Sequence, residues 1–110
     1  MIVEIHGLEL FGRHGVAEQE RRDGQTFIVD VMLHVQEPAE DSIDATVDYR
    51  RARDLVRAVS DRESYQLLET FAVAVAAALA AEPGVEKAGV RIRKPGVEWA
   101  EWTAASAERP

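Results

Sequence analysis

The chain has 110 residues, enough for one ordinary domain, and its hydrophobic fraction of 46% is that of a globular protein. It has no cysteine, which excludes disulfides and thiolate zinc sites; its net charge of -7, with no basic block, argues against nucleic-acid binding. His6, His14 and His34 lack zinc-motif spacing, so no metal is expected; with no leader and no bilayer-length apolar run visible, the expected location is the cytoplasm, away from membranes.

Residues 2–11 open with Val3 and Ile5 on one parity and switch to Leu8 and Leu10 after Gly7, which predicts a strand with a bulge at that glycine. The stretch from His14 to Phe27, HGVAEQERRDGQTF, is too long and too charged for a simple hairpin connection and is expected to be a functional loop. Residues 27–35 alternate well: Phe27, Val29, Val31, Leu33 and Val35 face one way, Asp30 and His34 the other. A Pro-containing acidic loop follows. Asp48 has the chemistry of an N-cap, and Ala52, Leu55, Val56 and Val59 recur at helical spacing, so a helix is expected over about 49–60.

Ser64 is the expected cap of a second helix, which buries Leu67, Leu68, Phe71, Ala72, Val75 and Leu79 and ends at Glu82-Pro83-Gly84. Residues 85–94 read as a third strand, with Ala88, Val90 and Ile92 inward and Arg91 and Arg93 outward. A weaker fourth strand is expected over about 98–108. The order β-β-α-α-β-β predicts an α+β layer: one antiparallel sheet with both helices on one face.

Three polar residues break the packing pattern. Lys94 ends the inward row of the third strand. It is either a snorkelling surface lysine or a partly desolvated acid–base amine. Glu69, in the first turns of the second helix, is either a favourable charge at a helix N-terminus or a carboxylate that receives paired N–H donors from a planar ligand. Tyr49 follows the cap of the first helix. It is either a partly buried aromatic or a cover for a planar ring whose hydroxyl handles a proton.

Four segments, "GLELFGRHGVAEQERRDGQTFIVDV", "DATVDY", "QLLETFAVAVA" and "VRIRKP", together resemble the dihydroneopterin aldolase family of folate biosynthesis, in the right order and at compatible spacings. The resemblance implies the T-fold (tunnelling fold) of β-β-α-α-β-β units. It also implies a homo-oligomer, an octamer of two stacked tetrameric rings, with active sites between neighbouring subunits. The implied reaction is metal-independent retro-aldol cleavage of 7,8-dihydroneopterin, a pterin, to 6-hydroxymethyl-7,8-dihydropterin and glycolaldehyde, with 2'-epimerisation in many members and no cofactor.

Carried over by motif position, Glu20 contacts the substrate's side-chain hydroxyls and Gln25 helps hold a catalytic water. Tyr49, from the neighbouring subunit, stacks on the pterin. Glu69 binds the 2-amino group and ring N–H, assisted by the backbone of Leu68 and, across the interface, of Val47 and Asp48. Lys94 is the acid–base residue. In this reading the opening loop places Glu20 and Gln25, and Gly15 and Gly24 permit its tight turns. His14 either braces the loop, the favoured reading, or lines the site.

After Lys94-Pro95 the sequence departs from the family. The usual Pro-rich loop and Phe-Asp-containing strand are replaced by the shorter "KPGVEWAEWTAASAERP", with Trp99 and Trp102 as additions. A different pocket rim is expected there. Two alternatives stay open: an epimerase of the same fold acting on dihydroneopterin triphosphate, for which Arg13, Arg21 and Arg22 are the candidate cations, and a non-catalytic pterin-binding module.

Overall fold

A computed structural model describes residues 1–110. Strands β1 (Ile2–Gly12), β2 (Gln25–Val35), β3 (Val85–Lys94) and β4 (Thr103–Arg109) form one sheet in the order β1-β2-β3-β4, every neighbouring pair antiparallel. The β1/β2 register shifts between Ile5 and Leu8, the bulge that the parity switch predicted. Gly7 sits in it, its N–H donating to Asp30 Oδ1 at 2.8 Å.

A short helix, α1 (Glu18–Asp23), lies between β1 and β2. Helices α2 (Tyr49–Arg62) and α3 (Leu68–Ala80) fill the β2–β3 connection, after a single 3-10 turn at Ile43–Ala45. Asp48 caps α2 as expected, its carboxylate accepting from Arg50 N at 2.9 Å. Both long helices cover one face of the sheet, α3 against β3 and β4, α2 against α3 and β1.

Alternation on the strands and 3.6-residue spacing on the helices meet in one core. Phe27, Val29, Val31, Leu33 and Val35 of β2 and Ala88, Val90 and Ile92 of β3 are buried against Ala52, Val56 and Val59 of α2 and Phe71, Ala72, Val75, Ala76 and Leu79 of α3. Phe27 and Phe71 meet edge-on with ring centroids 5.8 Å apart, a favoured aromatic geometry.

Three expectations are corrected. The connection after β1 is not all loop: α1 forms although it buries no residue. Glu18 and Glu20 in its first turn and Arg21 and Arg22 in its last complement the helix dipole. Ser64 does not cap α3, whose N-cap is Leu67 with no side-chain cap bond, because residues around Tyr65 are engaged with the β1–α1 loop instead. The fourth strand begins at Thr103 rather than near 98. Its pairing with β3 ends at Lys94↔Thr103, and residues 95–102 form the connecting loop, with Trp99 80% exposed.

Candidate functional site

At the end of the sheet where β2 starts and β3 finishes, a cavity of about 250 Å³ lies between the β1–α1 loop, the N-terminus of α3 and the β3/β4 ends. Glu20, Leu68, Glu69, Lys94 and Thr103 line it, with His14 in the wall. Lys94 gets there by strand parity: it continues the row of Ala88, Val90 and Ile92 one step past the packed core. Its ammonium does not snorkel to open water. Lys94 Nζ meets Glu20 Oε2 in an ion pair whose side chains are 21% and 27% exposed.

Glu20 is positioned from three sides. Its Oε2 also accepts from Gln25 Nε2 at 2.9 Å, and its Oε1 accepts from Ala17 N at 3.2 Å. The hydrogen bond from Lys94, reinforced by Gln25 and the Ala17 amide, holds the Glu20 carboxyl below the ordinary carboxylate pKa against the opposing effect of burial, so it is an anion at neutral pH. Gly15 makes room for this arrangement. Its φ is +153°, and a Cβ there would lie 2.5 Å from the Glu20 carboxyl carbon. Gly24 (φ +76°) closes α1 at the tight turn expected of it.

Leu68 and Glu69 begin α3, whose first N–H groups have no partner within the helix. The cavity thus combines peptide donors, one free carboxylate and an ammonium–carboxylate pair. Such a set can hold the N–H edge of a flat heterocycle and move a proton at its far side. Nowhere in the chain do three His, Asp or Glu side chains converge as metal ligands.

His14 both braces the loop and lines the cavity: it is 2% exposed and hydrogen-bonded at both ring nitrogens. Two residues escaped the sequence reading. Ser60 bonds His14, and its signal was a hydroxyl at i+4 from Val56 on the buried face of α2. Thr103 faces the cavity opposite Lys94, a placement set by long-range pairing that leaves no local signal.

Tyr49, Val47 and Asp48 are not brought to this cavity. Tyr49 opens α2 and is 54% exposed, so it is not a partly buried aromatic. Val47 lines a separate hollow of about 660 Å³ with Val35, Gly84 and Val85. That hollow is at the opposite end of β2 from Gln25, about 34 Å away along an 11-residue strand. The loop cations are engaged elsewhere: Arg21 donates to the carbonyls of Gly15 (2.9 Å) and Val16 (2.6 Å), Arg13 to that of Arg22, and Arg22 pairs with Asp23 at 3.2 Å.

The sheet order, the helix pair on one face and the cavity at the strand ends define an α+β protein of the T-fold class. The model of one family, FolB: Dihydroneopterin aldolase, matches residues 3–108. The chain belongs to the dihydroneopterin aldolase family. It is 38% identical to the dihydroneopterin aldolase of Streptomyces coelicolor over 96 residues, covering 84% of this chain and 81% of that protein. It is 35% identical to that of Methylorubrum extorquens over 95 residues, covering 83% and 73%. The fold matches the crystal structure of the E. coli enzyme in complex with neopterin, with a TM-score of 0.92 over 100% of this chain and 99% of that one at 21% identity. It also matches a Burkholderia enzyme bound to guanine, with a TM-score of 0.84 over 99% and 89% at 24% identity.

Proposed function

We propose that the protein is a dihydroneopterin aldolase of folate biosynthesis that cleaves 7,8-dihydroneopterin without a metal or a Schiff base, and that it also epimerises C2'. The observation that carries this reading is the Glu20–Lys94 pair in a cavity that also presents Glu69. Glu69 takes the 2-amino and ring N–H donors of the pterin in two parallel charge-assisted bonds, with the Leu68 amide beside it. Neopterin and guanine, the ligands of the two structural relatives, share that amino-pyrimidinone edge.

The dihydropterin supplies its own electron sink, a C=N bond adjacent to the reacting side chain. Loss of the 2'-hydroxyl proton breaks the C1'–C2' bond and releases C2' and C3' as glycolaldehyde. The electron pair passes to C6 and N5, with N5 taking a proton. Protonation at C1' and loss of the N5 proton then give the hydroxymethyl product. Lys94 is the acid–base group in these transfers, Glu20 binds the side-chain hydroxyls, and Gln25 holds a water.

Tyr49, with the Val47 and Asp48 backbone, comes from a neighbouring subunit and covers the ring. In support, one chain keeps these residues far from its own cavity and leaves β1 and β4 as unpaired sheet edges, which ring closure would cover. The assembly is an octamer of two stacked tetrameric rings in the cytoplasm.

The triphosphate-epimerase alternative is weakened because the cations that would meet a triphosphate, Arg13, Arg21 and Arg22, are spent on loop carbonyls and Asp23. The test is turnover of dihydroneopterin against that of its triphosphate under the same conditions. Faster cleavage of the unphosphorylated compound is expected. Epimerisation of the triphosphate without cleavage of either would replace this reading.

A further inference from the structure

The β1–β2 connection, which carries Glu20 on α1, is fastened to the helical layer through His14 and Gly15. His14 Nδ1 accepts the backbone N–H of Tyr65 at 3.0 Å, and next to it Gly15 N donates to Tyr65 O at 2.9 Å. These two bonds make a short bridge between residues 14–15 and the α2–α3 connection. An amide N–H can only donate, so Nδ1 carries the lone pair and Nε2 carries the ring proton, given to Ser60 Oγ at 2.9 Å. The ring is packed by Phe71 (centroids 4.2 Å apart), Phe27 (5.4 Å) and Tyr65 (5.4 Å).

The backbone of the same residue continues the connection. His14 O accepts from Gln25 Nε2 at 3.1 Å, and the second hydrogen of that amide goes to Glu20 Oε2 at 2.9 Å, the oxygen paired with Lys94. Both donors of the Gln25 amide are thereby used, which fixes its orientation. The chain of contacts runs Ser60, His14, Gln25, Glu20, Lys94. Its first two members are buried polar residues, His14 2% and Ser60 5% exposed, and packing alone does not require a doubly hydrogen-bonded imidazole among aromatic rings.

We propose that His14 is a positioning residue for the Glu20–Lys94 pair: a neutral imidazole with its proton on Nε2, seated on Ser60, that registers the loop so that the Gln25 amide holds the Glu20 carboxylate against Lys94. Burial favours the neutral ring and outweighs the opposing influence of Asp61 on α2. The functional half of this inference rests on the aldolase reading. The geometric half does not.

The test compares the parent with His14→Asn, His14→Leu and Ser60→Ala. Asn offers an uncharged acceptor to the Tyr65 N–H; Leu offers none. Two readouts are taken on folded protein: kcat and KM for 7,8-dihydroneopterin, and the midpoint of the Glu20 carboxyl titration by carbon-13 NMR. A parent that does not cleave dihydroneopterin defeats the aldolase reading but leaves the Glu20 titration to decide the positioning role.

For His14→Leu, kcat should fall about 10–100-fold, the scale of misplacing a catalytic group by about an ångström, with KM much less affected. The Glu20 midpoint should climb toward the ordinary carboxylate value as its partners loosen. His14→Asn should recover part of both. If His14→Leu does not fold, Ser60→Ala, which removes one hydroxyl, should shift both readouts in the same direction by a smaller factor. Folded variants with the parent's Glu20 titration and kcat, whatever their loss of thermal stability, would show that His14 only packs, and the proposal would fall.

Discussion

Tyr49→Ala and Lys94→Ala, each nearly inactive alone, should restore activity when unfolded together and refolded as mixed oligomers. Within one chain Tyr49 and Ser60 stand at opposite ends of α2, about 16 Å apart along the helix axis, and Ser60 is the residue that touches His14 at the cavity wall. A tyrosine side chain cannot span that distance, so if Tyr49 serves a site with Lys94, it serves a neighbour's. Random assembly at equal amounts gives a site Tyr49 from one chain and Lys94 with Glu69 from the next in about one case in four, as for any head-to-tail interface. Activity should return to about a quarter of the parent value. Dihydroneopterin cleavage is assayed across mixing ratios, with mass spectrometry confirming hybrid rings. Hybrid rings whose activity is only the average of the two variants would refute the shared site.

Other substitutions separate the roles within one cavity. Glu69→Ala should weaken neopterin binding by about 1.5–3 kcal/mol, the worth of a hydrogen-bonded charged acceptor, as read by calorimetry; binding equal to the parent's would remove Glu69 as the anchor. Acidification should destabilise the fold in two windows. His14 binds its proton less readily folded than unfolded, so its contribution is complete above about pH 6.5 and is lost as pH falls below that value. The depressed Glu20 pKa gives stability that is full above the ordinary carboxylate range and lost as pH falls through the folded value. Urea midpoints at fixed subunit concentration should therefore drop between pH 7.5 and 5.5 in the parent and drop less in His14→Asn; equal slopes would contradict the His14 assignment.

Much of the fold was legible because the dominant physics is periodic. Residues 27–35 alternate in burial and Ala88, Val90 and Ile92 recur at every second position, since one sheet face is buried, and the parity switch across Gly7 marked the bulge. The features that escaped are set by partners distant in sequence. Helix α1 has no apolar period and is held by dipole complementarity and the Glu20–Ala17 bond. Helix α3 starts at Leu68 because Tyr65 pairs with His14, a contact 51 residues back. Trp99 and Trp102 read as strand residues, yet β4 starts only where it pairs with Lys94; Trp102 rests instead against the Arg93 guanidinium, 5.6 Å from its ring. For the site, parity marked Lys94 as anomalous, but the partner that gives it a role, Glu20, is 74 residues away and entered only through the family resemblance.

The proposed role of Lys94, paired with Glu20, is to move the protons of a metal-free retro-aldol reaction. Its most direct test is single-turnover product analysis of 7,8-dihydroneopterin with the parent and with folded Lys94→Ala. The parent should yield 6-hydroxymethyl-7,8-dihydropterin and glycolaldehyde in equal amounts, and Lys94→Ala should do so about 10²–10⁴-fold more slowly while binding neopterin nearly as well. No cleavage by the parent, or near-parent rates in the variant, would rule out Lys94 as the proton-transfer group of an aldolase.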